Sequence, residues 1–207
     1  MITTESGSTQ PRRIWVICEG KHESGGALQH LLHRILPSSI ESEIVFEPWK
    51  NPRNANRRFR SSGKGDGVFK KFIAALIDAK SRGFHGVIGL VDCDRDRSRI
   101  RSVDQAQSES TIIFPRAFGV AIETFDAWFL ADEVALSSYF GINVQAQPDP
   151  ESCSDAKSVI KALRNSGELF DGLADCYSEL AKIVDLEMMA RRCPNGFAVW
   201  MQRVAKL

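Results

Sequence analysis

The sequence predicts an α/β fold, in which an open, mostly parallel sheet is flanked by helices and followed by a C-terminal helical appendage. Continuous apolar runs such as Gly86 to Val91 are typical of strands covered on both faces, as in a parallel sheet between helix layers. These runs alternate with segments whose apolar residues recur at helical spacing. Alternation of this kind, with connections of this length, favours an open α/β sheet.

Two strand–helix units are predicted in the first part of the chain. A run rich in β-branched and aromatic residues predicts the first strand, and the helical spacing that follows it ends at Pro37. A second short strand precedes a second amphipathic helix, which Gly83 is suited to cap at its C-terminus. The strands are Arg13 to Cys18 and Glu43 to Phe46, and the helices begin near Gly26 and Val68.

Further strands and a change of character are predicted in the second part. Gly86 to Val91 forms the third strand, Thr111 to Phe114 and Phe118 to Ile122 offer a fourth and a fifth, and Thr124 begins a helix. After Gly141 the chain becomes polar, and only helical patterns follow it. We therefore expect a disordered N-terminus at 1–12, an α/β domain at 13–141 and a helical appendage at 155–207, packed on the core.

The composition is that of an ordinary globular protein with a sizeable core. Of 207 residues, 43% are hydrophobic and 26% are charged, and the net charge of +1 gives no global attraction to nucleic acid or membrane. Residues 1–11 lack the apolar core of a signal peptide, and no segment has ~20 uninterrupted apolar residues. A cytoplasmic protein without membrane contact is expected, and its five scattered cysteines are predicted to be reduced.

Three predicted strands end in acidic residues. Glu19 follows the first strand, Asp92 and Asp94 follow the third, and Glu123 follows the last. The carboxyl ends of parallel strands border the functional crevice of such sheets. Two carboxylates ~5 Å apart repel by roughly 3 kcal/mol at an effective dielectric constant of ~20, and a divalent cation with oxygen ligands relieves this repulsion. The alternative is that these acids are turn and helix N-cap residues.

Two other interpretations of the segment DCDRD, which runs from Asp92 to Asp96, can be compared with the sequence. A calcium loop requires Gly at its sixth position and Glu at its twelfth, where this chain has Arg97 and Val103, so that interpretation fails. A phosphatase of the haloacid dehalogenase kind places D-x-D after the first strand of its core. Here a complete strand–helix unit comes earlier, and this class stays a competitor.

The order strand–EGKHE–helix and then strand–DCDRD resembles the Toprim domain of topoisomerases, primases and OLD-type nucleases. The resemblance covers roughly residues 13–130 and implies a Toprim- or Rossmann-like sheet. The E-G-x-x-E form is more similar to the nuclease branch than to the topoisomerase branch. The stretch AIETFDAWFLAD, with the distant RRCPNGF, is similar to small stand-alone bacterial Toprim-like proteins.

The resemblance also implies roles for individual residues. Glu19 would be the acid/base or metal-ligand glutamate, and Asp92 and Asp94 would hold Mg²⁺ or Mn²⁺. Glu23 and Glu123 would be secondary ligands of the same cation. The implied catalytic set is therefore Glu19, Asp92 and Asp94.

A basic segment supplies the predicted contacts to nucleic acid. Lys50 to Lys64 has six basic residues and no acidic residue, and its Pro and Asn exclude a regular helix over the first half. Its cations are suited to phosphates, and Phe59 to stacking on one base. The alternative is a solvated basic loop that pairs with the protein's own acids. The predicted nucleic-acid contacts are Arg57, Arg58, Arg60, Lys64 and, after the third strand, Arg97.

Together these features predict a Mg²⁺-dependent phosphodiester hydrolase, with nuclease as the favoured activity. One alternative is a non-catalytic module that binds nucleic acid or a partner, including a second copy of the chain, and another is a small-molecule phosphatase. If Asp92 and Asp94 hold a cation, we expect Arg95, Arg97 and Arg99 to turn away from them, because a clamped arginine would occupy the oxygens that the metal needs.

Overall fold

The computed structural model describes residues 11–20, 26–37, 42–48, 66–167 and 171–207. Four parallel strands form one sheet in the order β2-β1-β3-β4, with helices on both faces and further helices after the last strand. The predicted α/β class, with an open parallel sheet and C-terminal helices, is confirmed. The strands are β1 Arg12–Cys18, β2 Ser42–Pro48, β3 Gly86–Asp92 and β4 Arg116–Ala121. The helices are α1 Leu28–Ile35, α2 Asp66–Ser81, α3 Ser98–Ser108, α4 Asp126–Phe129, α5 Glu133–Phe140, α6 Ala156–Ser166, α7 Leu173–Ile183, α8 Leu186–Arg192 and α9 Phe197–Val204.

The central strands bury side chains on both faces. In β1, Ile14 and Val16 join a core cluster with α1 and the C-terminal helices, whereas Trp15 and Ile17 join a second cluster with α2 and α3. All four side chains are at most 3% exposed. Burial on both faces explains why the sequences of these strands are continuous apolar runs and do not alternate between apolar and polar residues.

Two strand glycines allow aromatic side chains to approach the sheet closely. A Cβ at Gly89 would lie 2.1 Å from the Phe72 ring, which stacks on Phe118 with ring centroids 4.1 Å apart. A Cβ at Gly119 would lie 2.4 Å from the Trp200 side chain on the other face. The missing Cβ atoms therefore let α2 and α9 pack against opposite faces of the sheet.

Side chains form hydrogen bonds with backbone groups at the outer edge of β4, which is the edge away from β3. The Gln107 Oε1 accepts from the Phe118 N–H at 2.8 Å, and its Nε2 donates to the Arg116 carbonyl at 3.2 Å. The Arg203 Nη1 donates to the Phe118 carbonyl at 2.7 Å. Backbone groups that would pair with a fifth strand are thus already bonded, which closes this edge.

Two predicted elements differ in the structure. The strand predicted at Thr111 to Phe114 is wrong, since this segment forms neither strand nor helix and its Ile113 side chain is 89% exposed. The backbone groups at the β4 edge with which such a strand could pair are bonded to side chains. The helix predicted from Thr124 divides into α4 and α5. Asp132 causes the second start, since its side chain accepts from the Val134 and Ala135 N–H groups as an N-cap.

The C-terminal helices cover one face of the sheet. Phe197 and Trp200 are fully buried in the same cluster as Ile14 of β1, which places the aromatic face of α9 in the core. All five cysteines are free thiols. Among the helices described, none combines the length and the apolar character that a membrane crossing requires.

Candidate functional site

The predicted acidic residues lie where the strand order changes direction. The chain passes from β1 outward to β2, and then returns to the other side of β1 to form β3 and β4. Glu19 directly follows β1, and Asp92 is the last residue of β3. Ligands of open parallel sheets bind outside the carboxyl ends of the strands at such a reversal. The topology thus makes this edge the candidate site.

Arg99 joins the acidic residues at this edge. Its Nη1 donates to the Glu19 Oε2 at 2.8 Å and to the Asp92 backbone carbonyl at 2.6 Å. The same nitrogen lies 3.4 Å from the Asp94 Oδ2. The Arg99 and Glu19 side chains are 20% and 24% exposed, whereas Asp94 is 55% exposed. Oxygens from two loops and a strand end therefore converge on one cationic group.

This arrangement corrects the orientation expected for Arg99. It turns toward the acids, because the oxygens of Glu19, Asp92 and Asp94 concentrate negative charge that a nearby cation stabilises. Arg95 is exposed, as expected. Glu109, the acid that follows α3, accepts from the Thr111 N–H and hydroxyl, and these hydrogen bonds hold the pKa of its carboxyl below the usual range.

The Asp92 side chain fixes the turn after β4. Its Oδ1 accepts from the Phe125 N–H at 2.7 Å, across the sheet edge. Backbone bonds continue this contact, since the Cys93 N–H donates to the Ala121 carbonyl and the Asp94 N–H to the Glu123 carbonyl. The loops after β3 and β4 consequently form one hydrogen-bonded unit.

Backbone strain is concentrated in the same unit. Within the described residues, the non-glycine positions with positive φ are Asp94 at 48°, Arg95 at 62° and Glu123 at 59°. Such conformations cost of order 1–3 kcal/mol each and persist where the surroundings determine them. They cluster at functional sites, and here all three lie at the predicted acidic edge.

Glu123 and Arg97 form a looser pair beside this unit. The Arg97 Nη2 lies 3.6 Å from the Glu123 Oε1, with Arg97 65% exposed and Glu123 13% exposed. An ion pair of this length with an exposed partner adds little stability, because solvent screens it. Arg97 therefore stays available to a ligand at this edge.

Two buried polar atoms follow Glu123. The Thr124 Oγ1 and the Asp126 Oδ1 are buried without a hydrogen-bond partner among the residues described, and Asp126 is only 8% exposed. Buried polar atoms are normally satisfied, so each such atom needs an explanation. Thr124 and Asp126 flank Phe125 in sequence, and the Phe125 N–H donates to the Asp92 side chain.

The C-terminal segment supports the end of β4 from the other side. Glu151, 5% exposed, accepts from the Asn195 N–H at 3.1 Å, the Asn195 Nδ2 at 2.9 Å and the Gly196 N–H at 2.5 Å. A Cβ at Gly196 would lie 3.0 Å from the Val120 carbonyl, so the segment contacts β4 closely. The motif RRCPNGF thus has a structural role near Glu123, which the sequence did not reveal.

Oxygen is the ligand atom that hard cations such as Mg²⁺ take. The Cys93 thiol, between Asp92 and Asp94 in sequence, is buried. Burial raises the pKa of the Cys93 thiol, and this keeps it protonated. In the described part of the chain, no three His, Cys, Asp or Glu side chains stand close enough together to hold a metal ion. The guanidinium of Arg99 lies between the carboxylates of Glu19 and Asp94.

Several predicted site residues are outside the described ranges. The structure brings together Glu19, Asp92, Asp94, Glu123 and Arg97 at one edge, and adds Arg99. The remaining predicted ligand, Glu23, and the predicted nucleic-acid contacts Arg57, Arg58, Arg60 and Lys64 lie in ranges that it does not describe. Arg99 was expected to turn away from the acids and is instead the added residue of the site, and its place in the arginine-rich run after Asp92 is the signal of its proximity.

No family model, curated protein or solved structure matches this chain.

Proposed function

We propose that the chain is a Mg²⁺-dependent phosphodiester hydrolase of Toprim-like character, acting on nucleic acid at the carboxyl edge of its sheet. The observation that carries the proposal is the convergence of Glu19, Asp94 and the Asp92 carbonyl on one cationic group, at the reversal of strand order. Oxygen donors gathered around a positive charge are the donor set that a divalent cation uses.

The backbone strain supports the same edge. Strained residues persist where structure is maintained for a purpose other than stability, and Asp94, Arg95 and Glu123 are such residues.

The roles proposed for the chain's own residues follow from their positions. Glu19, Asp92, Asp94 and Glu123 would hold the cation, together with Glu23. When bound, Mg²⁺ would supply charge neutralisation and Lewis acidity at the phosphate. Glu19 is a partly exposed carboxylate at the end of a rigid strand, and it is suited to accept the proton of the attacking water.

The proposed phosphate contacts come from basic residues around the edge. Arg97, with an exposed guanidinium near Glu123, would bind one phosphate. The segment Lys50 to Lys64 would neutralise the backbone of a longer strand through Arg57, Arg58, Arg60 and Lys64. Such contacts favour a polymer over a small phosphoester.

A second function is favoured by the closed arrangement of Arg99. Because its guanidinium occupies the carboxylate oxygens of Glu19 and Asp94, the chain is also suited to bind nucleic acid or a partner without turnover. A divalent cation is required by the hydrolase and not by the binding module. Metal dependence therefore separates the two functions.

The test is cleavage of labelled single- and double-stranded DNA and RNA by the purified chain in Mg²⁺ or Mn²⁺. The Glu19→Gln variant should lose at least about 100-fold in cleavage rate while retaining nucleic-acid binding, because a general acid–base group contributes about 10²–10⁴-fold. Glu43→Gln is the matched control, since Glu43 lies near the start of the edge strand β2, at the opposite end of the sheet, and is exposed.

Four results would contradict the hydrolase. Cleavage that persists in a chelator, or that is equal in Glu19→Gln and the unchanged chain, would remove the proposed metal chemistry from this edge. Binding without cleavage in either metal would leave the non-catalytic module. Hydrolysis of a small aryl phosphate without cleavage of any polymer would identify a phosphatase.

A further inference from the structure

A cavity of about 460 Å³ lies at the amino end of β4. The end of α3, the segment before β4 and the end of α9 surround it, at the opposite end of the strand from Glu123. Because β4 has 6 residues at ~3.3 Å each, the cavity is about 20 Å from the candidate site. Small-molecule sites have volumes of about 300–1,000 Å³, so this cavity is large enough for a ligand of its own.

The lining of the cavity combines positive charge with apolar surface. Phe114 is partly exposed and Pro115 is exposed, so they form an apolar wall that solvent reaches. Ligand sites in proteins typically combine such a wall with a few polar groups that fix the orientation of the ligand. The charged residues of the lining are Glu109, Arg116, Arg203 and Lys206.

Arg116 carries a charge that its own contacts do not neutralise. Its Nε donates to the Phe114 carbonyl at 3.1 Å, its Nη1 to the Ala106 carbonyl at 3.0 Å and its Nη2 to the Ile112 carbonyl. Among the described residues it forms no ion pair. Burial lowers the pKa of the guanidinium, and the charge of Glu109 offsets only part of this effect. Because a guanidinium has five N–H groups, donors remain for an anion.

The other two cations of the lining differ in their partners. Arg203 is paired, since its Nη2 lies 2.7 Å from the Asp104 Oδ1. Lys206 is exposed, and in the part of the chain that the structure describes its ammonium has neither an ion pair nor a hydrogen bond. Lys206 is therefore available to an anionic group that also contacts Arg116.

The acid of the lining does not cancel these charges. The Glu109 Oε1 accepts from the Thr111 N–H at 2.9 Å and from its hydroxyl at 2.8 Å, and Glu109 forms no ion pair within the described ranges. The oxygen of Leu207, another lining residue, accepts from the Arg12 Nη2 at 2.9 Å, so a further cation lies beside it. The cavity thus has an excess of positive charge.

From this lining we propose that the cavity binds a small organic anion. Arg116 and Lys206 hold its phosphate or carboxylate group through charge-assisted hydrogen bonds, and its apolar part lies against Phe114 and Pro115. The site is separate from the acidic edge, and it does not depend on the proposed function.

The first test is an NMR titration of the full chain with phenyl phosphate. The reporters are the Gln107 side-chain amide and the Phe118 amide, because Gln107 lines the cavity and its Oε1 accepts from the Phe118 N–H. Their signals should shift in a saturable way, with a dissociation constant of about 1 mM or tighter. Inorganic phosphate, which lacks the ring, should bind at least about threefold more weakly, and phenol, which lacks the charge, should cause no shift.

The second test is a set of charge variants with opposite expected effects. Lys206→Gln should weaken phenyl phosphate binding at least about threefold, because it removes an attractive charge. Glu109→Gln should tighten binding at least about threefold, because it removes a repulsive charge while the amide oxygen can still accept from Thr111. Lys161→Gln is the matched control, since Lys161 is exposed on α6, which packs against α4 and α5.

Benzoate identifies the anionic group. Tighter binding of benzoate than of phenyl phosphate would assign the site to a carboxylate, and the reverse order would assign it to a phosphate. Either order supports the proposal, provided that Lys206→Gln weakens the binding.

Several outcomes would overturn the anion site. One is the absence of saturable shifts at the Gln107 and Phe118 signals when phenyl phosphate is about tenfold above a dissociation constant of about 1 mM. Shifts confined to residues around Arg97 would place the anion at the acidic edge instead. Equal affinity in Lys206→Gln and Lys161→Gln, or weaker binding in Glu109→Gln, would show that positive charge in this cavity does not hold the ligand.

Discussion

Two consecutive residues of the loop after β3, Asp94 and Arg95, have left-handed backbone conformations, with φ of 48° and 62°. Asp is tolerated in this region because its short polar side chain bonds locally, but Arg is uncommon there. The conformation lets the Asp94 N–H reach the Glu123 carbonyl while its side chain approaches Arg99. The left-handed conformation of Asp94 thus positions a candidate ligand, and it lowers the stability of the folded chain.

The strain can be measured at Arg95, which is exposed. Arg95→Gly should leave the free energy of unfolding unchanged or raise it by up to about 1 kcal/mol, since Gly adopts positive φ without steric cost. Arg95→Val should lower it by about 1–2 kcal/mol, because a β-branched residue is a severe outlier at this φ. Urea denaturation of the purified variants measures both.

Arg101→Gly provides the comparison, because Arg101 is exposed inside α3. Gly there should lower stability by about 0.5–1 kcal/mol through helix propensity. An equal loss in Arg95→Gly would mean that the Arg95 backbone is not strained.

Among the helices, α5 and α8 are joined by a polar network. The Asp132 Oδ1 caps α5, and its Oδ2 accepts from the N–H of Asp185, which itself caps α8. Arg192 near the end of α8 donates to the Ala131 carbonyl at 2.9 Å and forms an ion pair with Glu133. Each helix start is therefore tied to its neighbour, which orients the C-terminal helices on the sheet.

This network predicts a pH dependence. The hydrogen bond from Arg192 holds the pKa of Glu133 below its ordinary value of 4.5. A depressed pKa in the folded state contributes stability that is present above about pH 4.5 and lost as pH falls through the folded value. The melting temperature of Glu133→Gln should therefore lie below that of the unchanged chain at pH 6–7, and the gap should narrow toward pH 3.

The same substitution in an Arg192→Gln background isolates the pair. In that background, chains with and without Glu133→Gln should differ little in melting temperature at any pH, because the hydrogen bond that shifts the pKa of Glu133 is gone. If the difference in melting temperature keeps its size and pH dependence in that background, a contact of Glu133 other than the one with Arg192 causes it.

At the scale of the whole molecule, the C-terminal segments complete the core that the sheet begins. One cluster contains Ile14 and Leu90 from the strands together with Tyr177 and Trp200 from α7 and α9. Glu151 adds a polar link between these parts, because its buried carboxylate binds the backbone before α9 beside the end of β4. The candidate site thus depends on residues distant from it in sequence.

Glu151→Ala should lower the free energy of unfolding by about 3 kcal/mol or more. The substitution removes the acceptor of the Asn195 N–H and of the buried Gly196 N–H, and bonds to a charged group are worth about 1.5–3 kcal/mol each. Urea denaturation measures the loss. Glu179→Ala, which breaks an exposed pair with Lys182, should cost under about 1 kcal/mol and serves as the control. Equal losses would refute a locking role for Glu151.

The sequence by itself determined the α/β class, most strand positions and the edge at which the acids gather. The period and length of the apolar runs indicate strands that are buried on both faces. Parallel strands end at the same edge of the sheet, as the pairing of Asp92 with Ala121 shows. Glu19, Asp92 and Glu123 could be assigned to that edge without coordinates. Their role as metal ligands stays a prediction.

Only the tertiary structure decided which groups those acids meet and where the sheet stops. Arg99 reaches Glu19 across 80 positions, and electrostatic partners depend on distance in space, which local pattern does not encode. Thr111 to Phe114 has strand-like composition, yet it remains outside the sheet because Gln107 and Arg203 already bond the β4 edge. Local propensity is overruled when the backbone partners of a strand have been taken by side chains from other elements.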